Sequence, residues 1–119
     1  MKTLACTIAF ASMVTLAASP VVGHHAYDAN YIRETGSIEG VVVEVFWANP
    51  HVHYYLEVAD DEGGTTLWDV ESDNLSVMAR AGWTSETVQV GDRVRISGRL
   101  GREGRSRLAL DLESLERLD

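Results

Sequence analysis

Four histidines carry the most reactive chemistry in this chain: His24, His25, His51 and His53. They form two pairs, one adjacent and one spaced by two. On a strand, residues two apart leave the same face, so His51 and His53 are placed to share one ion without rearrangement. If the chain is cut before His24, the new α-amino group and the His24 imidazole chelate an ion together. A further imidazole from His51, with His25 or His53 in support, completes a compact nitrogen set. Such T-shaped nitrogen coordination suits Cu(II), which favours tetragonal nitrogen ligands. Zinc on three imidazoles with an open position is the second choice. Asp28 or Glu57 is the candidate for an added oxygen. The spacing does not match the His-Glu-x-x-His pattern of helical zinc sites. The same residues also fit plainer roles: His24 and His25 as a terminus, His51 as a turn cap, His53 as a half-exposed strand residue.

Other chemistry is thinner. Glu71 and Asp73 are a candidate acid/base pair, though glycoside chemistry needs a cleft with defined carboxylate spacing. Ser72 and Ser76 lack the Gly-x-Ser-x-Gly context of an activated serine. Gly91 and Gly98 fit turn and strand-packing roles rather than a phosphate loop. Arg93, Arg95, Arg99, Arg102, Arg105 and Arg107 form a basic cluster whose expected role is a solvated face paired with acids across strands. Trp47, Trp68 and Trp83 are expected in the core.

The elements that must hold these residues begin with an export signal over residues 1–23. Lys2 gives the positive start, Leu4 to Ala18 the apolar stretch, and Val21 and Gly23 the small residues before a cut at His24. The apolar stretch is shorter than the ~20 residues of a membrane span, so no transmembrane segment is expected after cleavage. Cys6 is the only cysteine and lies within the signal. The exported domain is therefore expected to hold no disulfide and no thiolate site. The formal charge is −8, with 10 Lys+Arg against 18 Asp+Glu, and loss of Lys2 makes it more negative. An acidic chain argues against a polyanionic partner, so no nucleic-acid partner is expected. A length of 119 residues with 45% hydrophobic side chains is one small globular domain.

Residues 24–35 lack clear periodicity and read as an N-terminal arm; residues 36–119 read as the folded domain. Gly36 to Trp47 is rich in β-branched and aromatic residues, and Asn49-Pro50 ends it. His51 to Val58 alternates, with Val52, Tyr54, Leu56 and Val58 on the core face and His51, His53, Tyr55 and Glu57 on the other. The polar turn from Asp60 to Gly64 leads into a third strand from Thr65 to Glu71. A short helix follows, capped by Ser72 or Asp73 and ended at Gly82. Arg93 to Leu100 is the fourth strand, a Gly101–Arg105 loop follows, and Leu108, Leu110 and Leu112 mark the fifth. Five short strands with one helix between the third and fourth predict a mainly β fold, a partly open OB-like barrel. An open α+β sheet is the alternative.

Several elements occur together in a recognisable order: His24-His25, Tyr27-Asp28, Phe46-Trp47-Ala48-Asn49-Pro50-His51, Trp68-x-Val70-Glu71, Arg80-Ala81-Gly82-Trp83 and Gly91-Asp92. In these the chain resembles a family of small exported bacterial proteins known as domain of unknown function 6152. The resemblance spans essentially all of the exported domain and implies an exported, single OB-like domain. At the position of His53 such proteins often carry a large aromatic, so a metal role for His53 would be particular to this sequence.

Together these observations favour a periplasmic, non-enzymatic binding or accessory protein, with copper on the histidines as the leading expectation. The alternative is a module that docks an exported enzyme or envelope complex and holds no metal.

Overall fold

The computed structural model describes residues 27–119. Residues 1–23, expected as an export signal with Cys6 within them, and His24 and His25 lie outside the described residues. After a helical turn at residues 27–30 come β1 (Tyr31–Phe46), β2 (His53–Ala59), β3 (Thr65–Glu71), a helix α1 (Leu75–Arg80), β4 (Arg93–Gly101), β5 (Arg107–Leu110) and a short β6 (Glu116–Arg117). Single 3₁₀ turns at Arg102–Gly104 and Leu112–Ser114 flank β5.

The strand order is β1-β2-β3-β5-β4-β6, and β1 also pairs with β4. The five main strands thus close into a ring, with β3 and β5 the parallel pair. This is the OB-like barrel, with the helix between β3 and β4. The two-residue β6 adds a sixth strand against Val94 and Arg95 of β4.

Closure depends on β1, which is 16 residues long. Its first part pairs with β4 and its second with β2. The strand must bend between partners, and a register shift between Val42 and Glu44 allows it. Two glycines let backbones approach closely. A Cβ on Gly40 would stand 2.4 Å from the Glu57 carbonyl oxygen, and one on Gly98 only 1.8 Å from that of Ala109. Alanine at Gly98 would therefore push β4 off β5.

The core is the inward side of this ring. Val42, Val52, Tyr54, Leu56, Val70, Val94, Ile96 and Leu108 are buried there. Met78 of α1 and Trp83 belong to the same buried cluster, and Trp47 and Trp68 pack partly buried against it. The alternation expected for β2 holds, because Val52, Tyr54 and Leu56 are at most 2% exposed.

Three local expectations change. The first strand starts at Tyr31, not Gly36, so Tyr31–Thr35 belong to the barrel and not to an arm. Arg33, Glu34 and Thr35 are exposed and interrupt any apolar period, whereas pairing with β4 supplies the strand geometry. The helix is capped by Asn74, whose side chain accepts from the Val77 N–H at 3.0 Å, rather than by Ser72 or Asp73. Leu112 falls in a 3₁₀ turn, not in the last strand. Among the described residues no helix is long and apolar enough to cross a membrane.

Candidate functional site

The outward face of β2 and β3 carries a row of polar side chains that is far from ordinary surface. Antiparallel pairing sets His53 opposite Glu71 and Tyr55 opposite Asp69. Each histidine leans diagonally to a carboxylate. His51 Nδ1 lies 2.7 Å from Glu71 Oε1, and His53 Nδ1 lies 2.6 Å from Asp69 Oδ1. Charge-assisted bonds of this length are strong and directional. A carboxylate at Nδ1 keeps the ring proton there and turns the Nε2 lone pair away from it. No described residue takes either Nε2.

Glu71 is the hub. Its side chain is only 10% exposed, and it accepts from three donors. The Tyr31 hydroxyl donates at 2.7 Å, Arg107 Nη2 at 3.0 Å, and His51 Nδ1 completes the set. Tyr31 is fully buried at the start of β1, and Arg107 comes from β5, in register with Asp69. The Arg107 guanidinium also lies 5.5 Å above the Tyr31 ring. Its Nε is buried without a hydrogen bond, 3.7 Å from Asp69 Oδ2. One arginine thus faces both carboxylates, and four strands contribute to one site.

Aromatic rings enclose the row. Tyr27 lies 6.0 Å from the His51 ring and 5.9 Å from Tyr31, and its hydroxyl donates to the Ser72 carbonyl at 3.3 Å. His53 stacks on Tyr55 at 6.1 Å and meets the edge of Phe46 at 6.3 Å. The hydrogen bond to Asp69 raises the His53 pKa above the ordinary histidine value, against the opposing effect of burial. Burial, with Asp73 and Glu71 nearby, pushes Tyr27 up to about 12. Burial and the bond to Glu71 hold Tyr31 neutral well beyond that.

The expected site residues divide accordingly. His51 and His53 share one row, whereas His24 and His25 lie outside the described residues. The oxygens that meet the histidines are Glu71 and Asp69, not Asp28 or Glu57. Asp28 accepts from Arg99 Nη2 at 2.9 Å, which holds its carboxyl below the usual range. Glu57 is exposed and stands opposite Leu67, further along β2. Among the described residues no group of three or more His, Cys, Asp or Glu is arranged to hold a metal ion. Glu71 and Asp73 do not form an acid/base pair, because Glu71 is spent on His51, Tyr31 and Arg107. The Ser72 hydroxyl bonds the Met78 sulfur at 3.1 Å. Sequence reasoning missed Tyr31, Asp69 and the central place of Arg107. The alternation of Leu67, Asp69 and Glu71 on β3 was the available signal for Asp69.

A family of unknown function (DUF6152) matches residues 11–109. The chain belongs to this family. Three of the quoted elements of the DUF6152 resemblance meet in space. The Tyr27 ring lies tilted against His51, His51 bonds Glu71, and Asn49 Oδ1 accepts from the Leu75 N–H at the start of α1. No curated protein matches the sequence. Among solved structures, the mitochondrial single-stranded DNA-binding protein Rim1 of S. cerevisiae is similar with a TM-score of 0.53 and 16% identity, covering 71% of this chain and 93% of that one. Yeast Stn1 and Ten1 match with a TM-score of 0.44 and 16% identity, over 71% of this chain and 43% of that chain. The small single-stranded DNA-binding protein of Streptomyces coelicolor matches with a TM-score of 0.38 and 23% identity, over 72% of this chain and 90% of its own. The likeness to Rim1 establishes the fold of this DUF6152 member. It also corrects the expectation that nucleic acid is excluded as a partner. Rim1, a single-stranded DNA-binding protein, has this fold, so the net charge of the chain is not sufficient ground to exclude such a partner.

Proposed function

We propose that this is an exported, periplasmic, non-enzymatic binding or accessory protein that holds a metal ion, copper before zinc. The ligands are Nε2 of His51 and of His53, with donors from His24 and His25. One observation carries this reading: both imidazoles have Nδ1 tied to a carboxylate, which leaves Nε2 as the metal-facing nitrogen. Carboxylate–histidine pairs of this kind orient metal ligands and raise their basicity. A nitrogen-only set suits Cu(II) first and zinc second. The apolar run from Leu4 to Ala18 and the small residues at Val21 and Gly23 support export.

The test is to recover the protein from the periplasm, determine its N-terminus by mass spectrometry, and titrate it with Cu(II) against a competing chelator. An N-terminal His24 and tight one-to-one binding, lost in His51→Ala, are expected. Binding no tighter than that of a free histidine-containing peptide would overturn the metal. A second reading, a docking module without metal, is favoured by one further observation: Val41, Val43, Phe46 and Leu67 are exposed together on β1 and β3.

A further inference from the structure

Pairing across β1, β2 and β3 arranges the outer face in rows. Val41, Glu57 and Leu67 form one row, and Glu44, Tyr55 and Asp69 the next. Phe46 and His53 begin the third, which ends at the site. Leu67 is 56% exposed and Phe46 47%. Among the described residues, every exposed large hydrophobic residue except Val90 is on β1 or β3. A sheet face with this much exposed apolar surface marks an interaction surface.

The edge beside this face is also open. β5 pairs with β3 only from Asp69 to Glu71. Among the described residues no strand pairs with the outer edge of β3 from Thr65 to Trp68. A cleft of about 590 Å³, lined by Gly40, Val41, Glu57, Val58 and Thr65, borders the first row.

Charge selects the occupant. No described cation pairs with Glu44 or Glu57, and the exposed turn at residues 60–62 adds Asp60, Asp61 and Glu62. Arg107 is held by Glu71, and Arg93, which borders Val41 from β4, leans to Glu39 at 3.8 Å. A second copy of this acidic chain would bring like charges together on this face. We propose that the outer face of β1–β2–β3 and the open edge of β3 receive an extended, basic segment of a partner protein that alternates cationic and apolar side chains. Its backbone extends the sheet at Thr65–Trp68, its cations lie on the outer face, where their aliphatic stems cover Leu67 and their charges meet Glu57 and the turn, and its apolar side chains fall on the opposite face beside half-buried Thr66 and Trp68. This rests on the docking reading and needs no metal.

The experiment uses the purified protein with a chelator present, so that its outcome is independent of copper. A fluorescent decapeptide of alternating Lys and Val is titrated by anisotropy, beside a Glu–Val decapeptide and a single-stranded oligothymidine. Amide shifts in NMR locate the contact. The Lys–Val peptide is expected to bind with shifts on β3 and the first row. Glu57→Arg and Leu67→Ala, both at exposed positions, should each weaken it about tenfold with unchanged melting temperature. Four results would overturn the proposal: no binding of the Lys–Val peptide at millimolar concentration, equal binding of the Glu–Val peptide, shifts on another face, or affinity unchanged in both variants. Preferential binding of the oligonucleotide to the same face would overturn the cationic occupant and keep the face as a binding surface. Self-association lost in Leu67→Ala would assign the face to a second copy instead.

Discussion

The histidine row at the start of β2, with His51 just before the strand and His53 its first residue, and the arginine row on β4 are both sets of alternating polar side chains of one barrel. In the first, the charged partners are withdrawn from water. Glu71 is nearly buried, Asp69 and Arg107 are half-buried, and the two imidazoles are held by bonds of 2.7 and 2.6 Å. In the second, guanidiniums stand in solvent. Arg95 bridges Glu39 and Glu116 at 3.0 Å each, and Arg93 reaches Glu39 only at 3.8 Å. Both rows are rich in ion pairs, yet only the first fixes a tautomer and leaves a nitrogen facing outward. Burial and directional partners separate a site from a solvated face; the number of charges does not.

The largest effect is expected at Glu71. Glu71→Ala removes the acceptor of three donors and leaves Arg107 half-buried without its closest counter-ion. Breaking such a pair costs about 3–5 kcal/mol, to be read from the urea midpoint. A loss no greater than that of Arg95→Ala would erase the distinction between the two rows.

Metal affinity sharpens the comparison next. His51→Ala should abolish tight Cu(II) binding in chelator competition. Asp69→Asn keeps the imidazoles but weakens the orienting bond, and should lower affinity by about 10–100-fold. If copper binds Asp69→Asn as tightly as the native protein, the diagonal carboxylates are not orienting ligands.

A smaller effect is expected from pH in the metal-free protein. The folded pKa of His53 is raised by Asp69, above an unfolded value of about 6.5. The pair's stabilisation is therefore complete below about pH 6.5 and disappears as pH rises through the raised folded value. Melting curves of native protein and His53→Phe should differ most in mild acid and converge in mild alkali. A gap that widens with pH would reverse the assigned sign.

The smallest change is expected on β4. Arg95→Ala breaks two solvent-exposed pairs that salt screens. Its melting temperature at moderate ionic strength should be barely distinguishable from that of the native protein, and its copper titration unchanged.

Much of this architecture was legible in the residues. The alternation from Val52 to Leu56 placed the core face of β2 and put His51 and His53 on the opposite side. Asn49-Pro50 and the Asp60–Gly64 turn bounded the strands, and Gly82 ended the helix with φ +82°. Tyr31 was missed because exposed Arg33, Glu34 and Thr35 hide its strand. The carboxylates at positions 69 and 71 read as unremarkable acids on an acidic chain, since register, not composition, sets them beside the imidazoles.

The sequence by itself determined the alternating faces, the turns, the OB-like order of strands and the chemistry available on β2. These follow from local rules, the twofold period of a strand and the backbone preferences of Gly, Pro and Asn. Tertiary structure alone decided which acid each histidine would meet, that Arg107 would leave the basic cluster for Glu71, and that Tyr31 would close the site from β1. Those contacts join residues 16 to 40 positions apart. They arise only when β1, β2, β3 and β5 pair in one register, which the packing of the whole core selects.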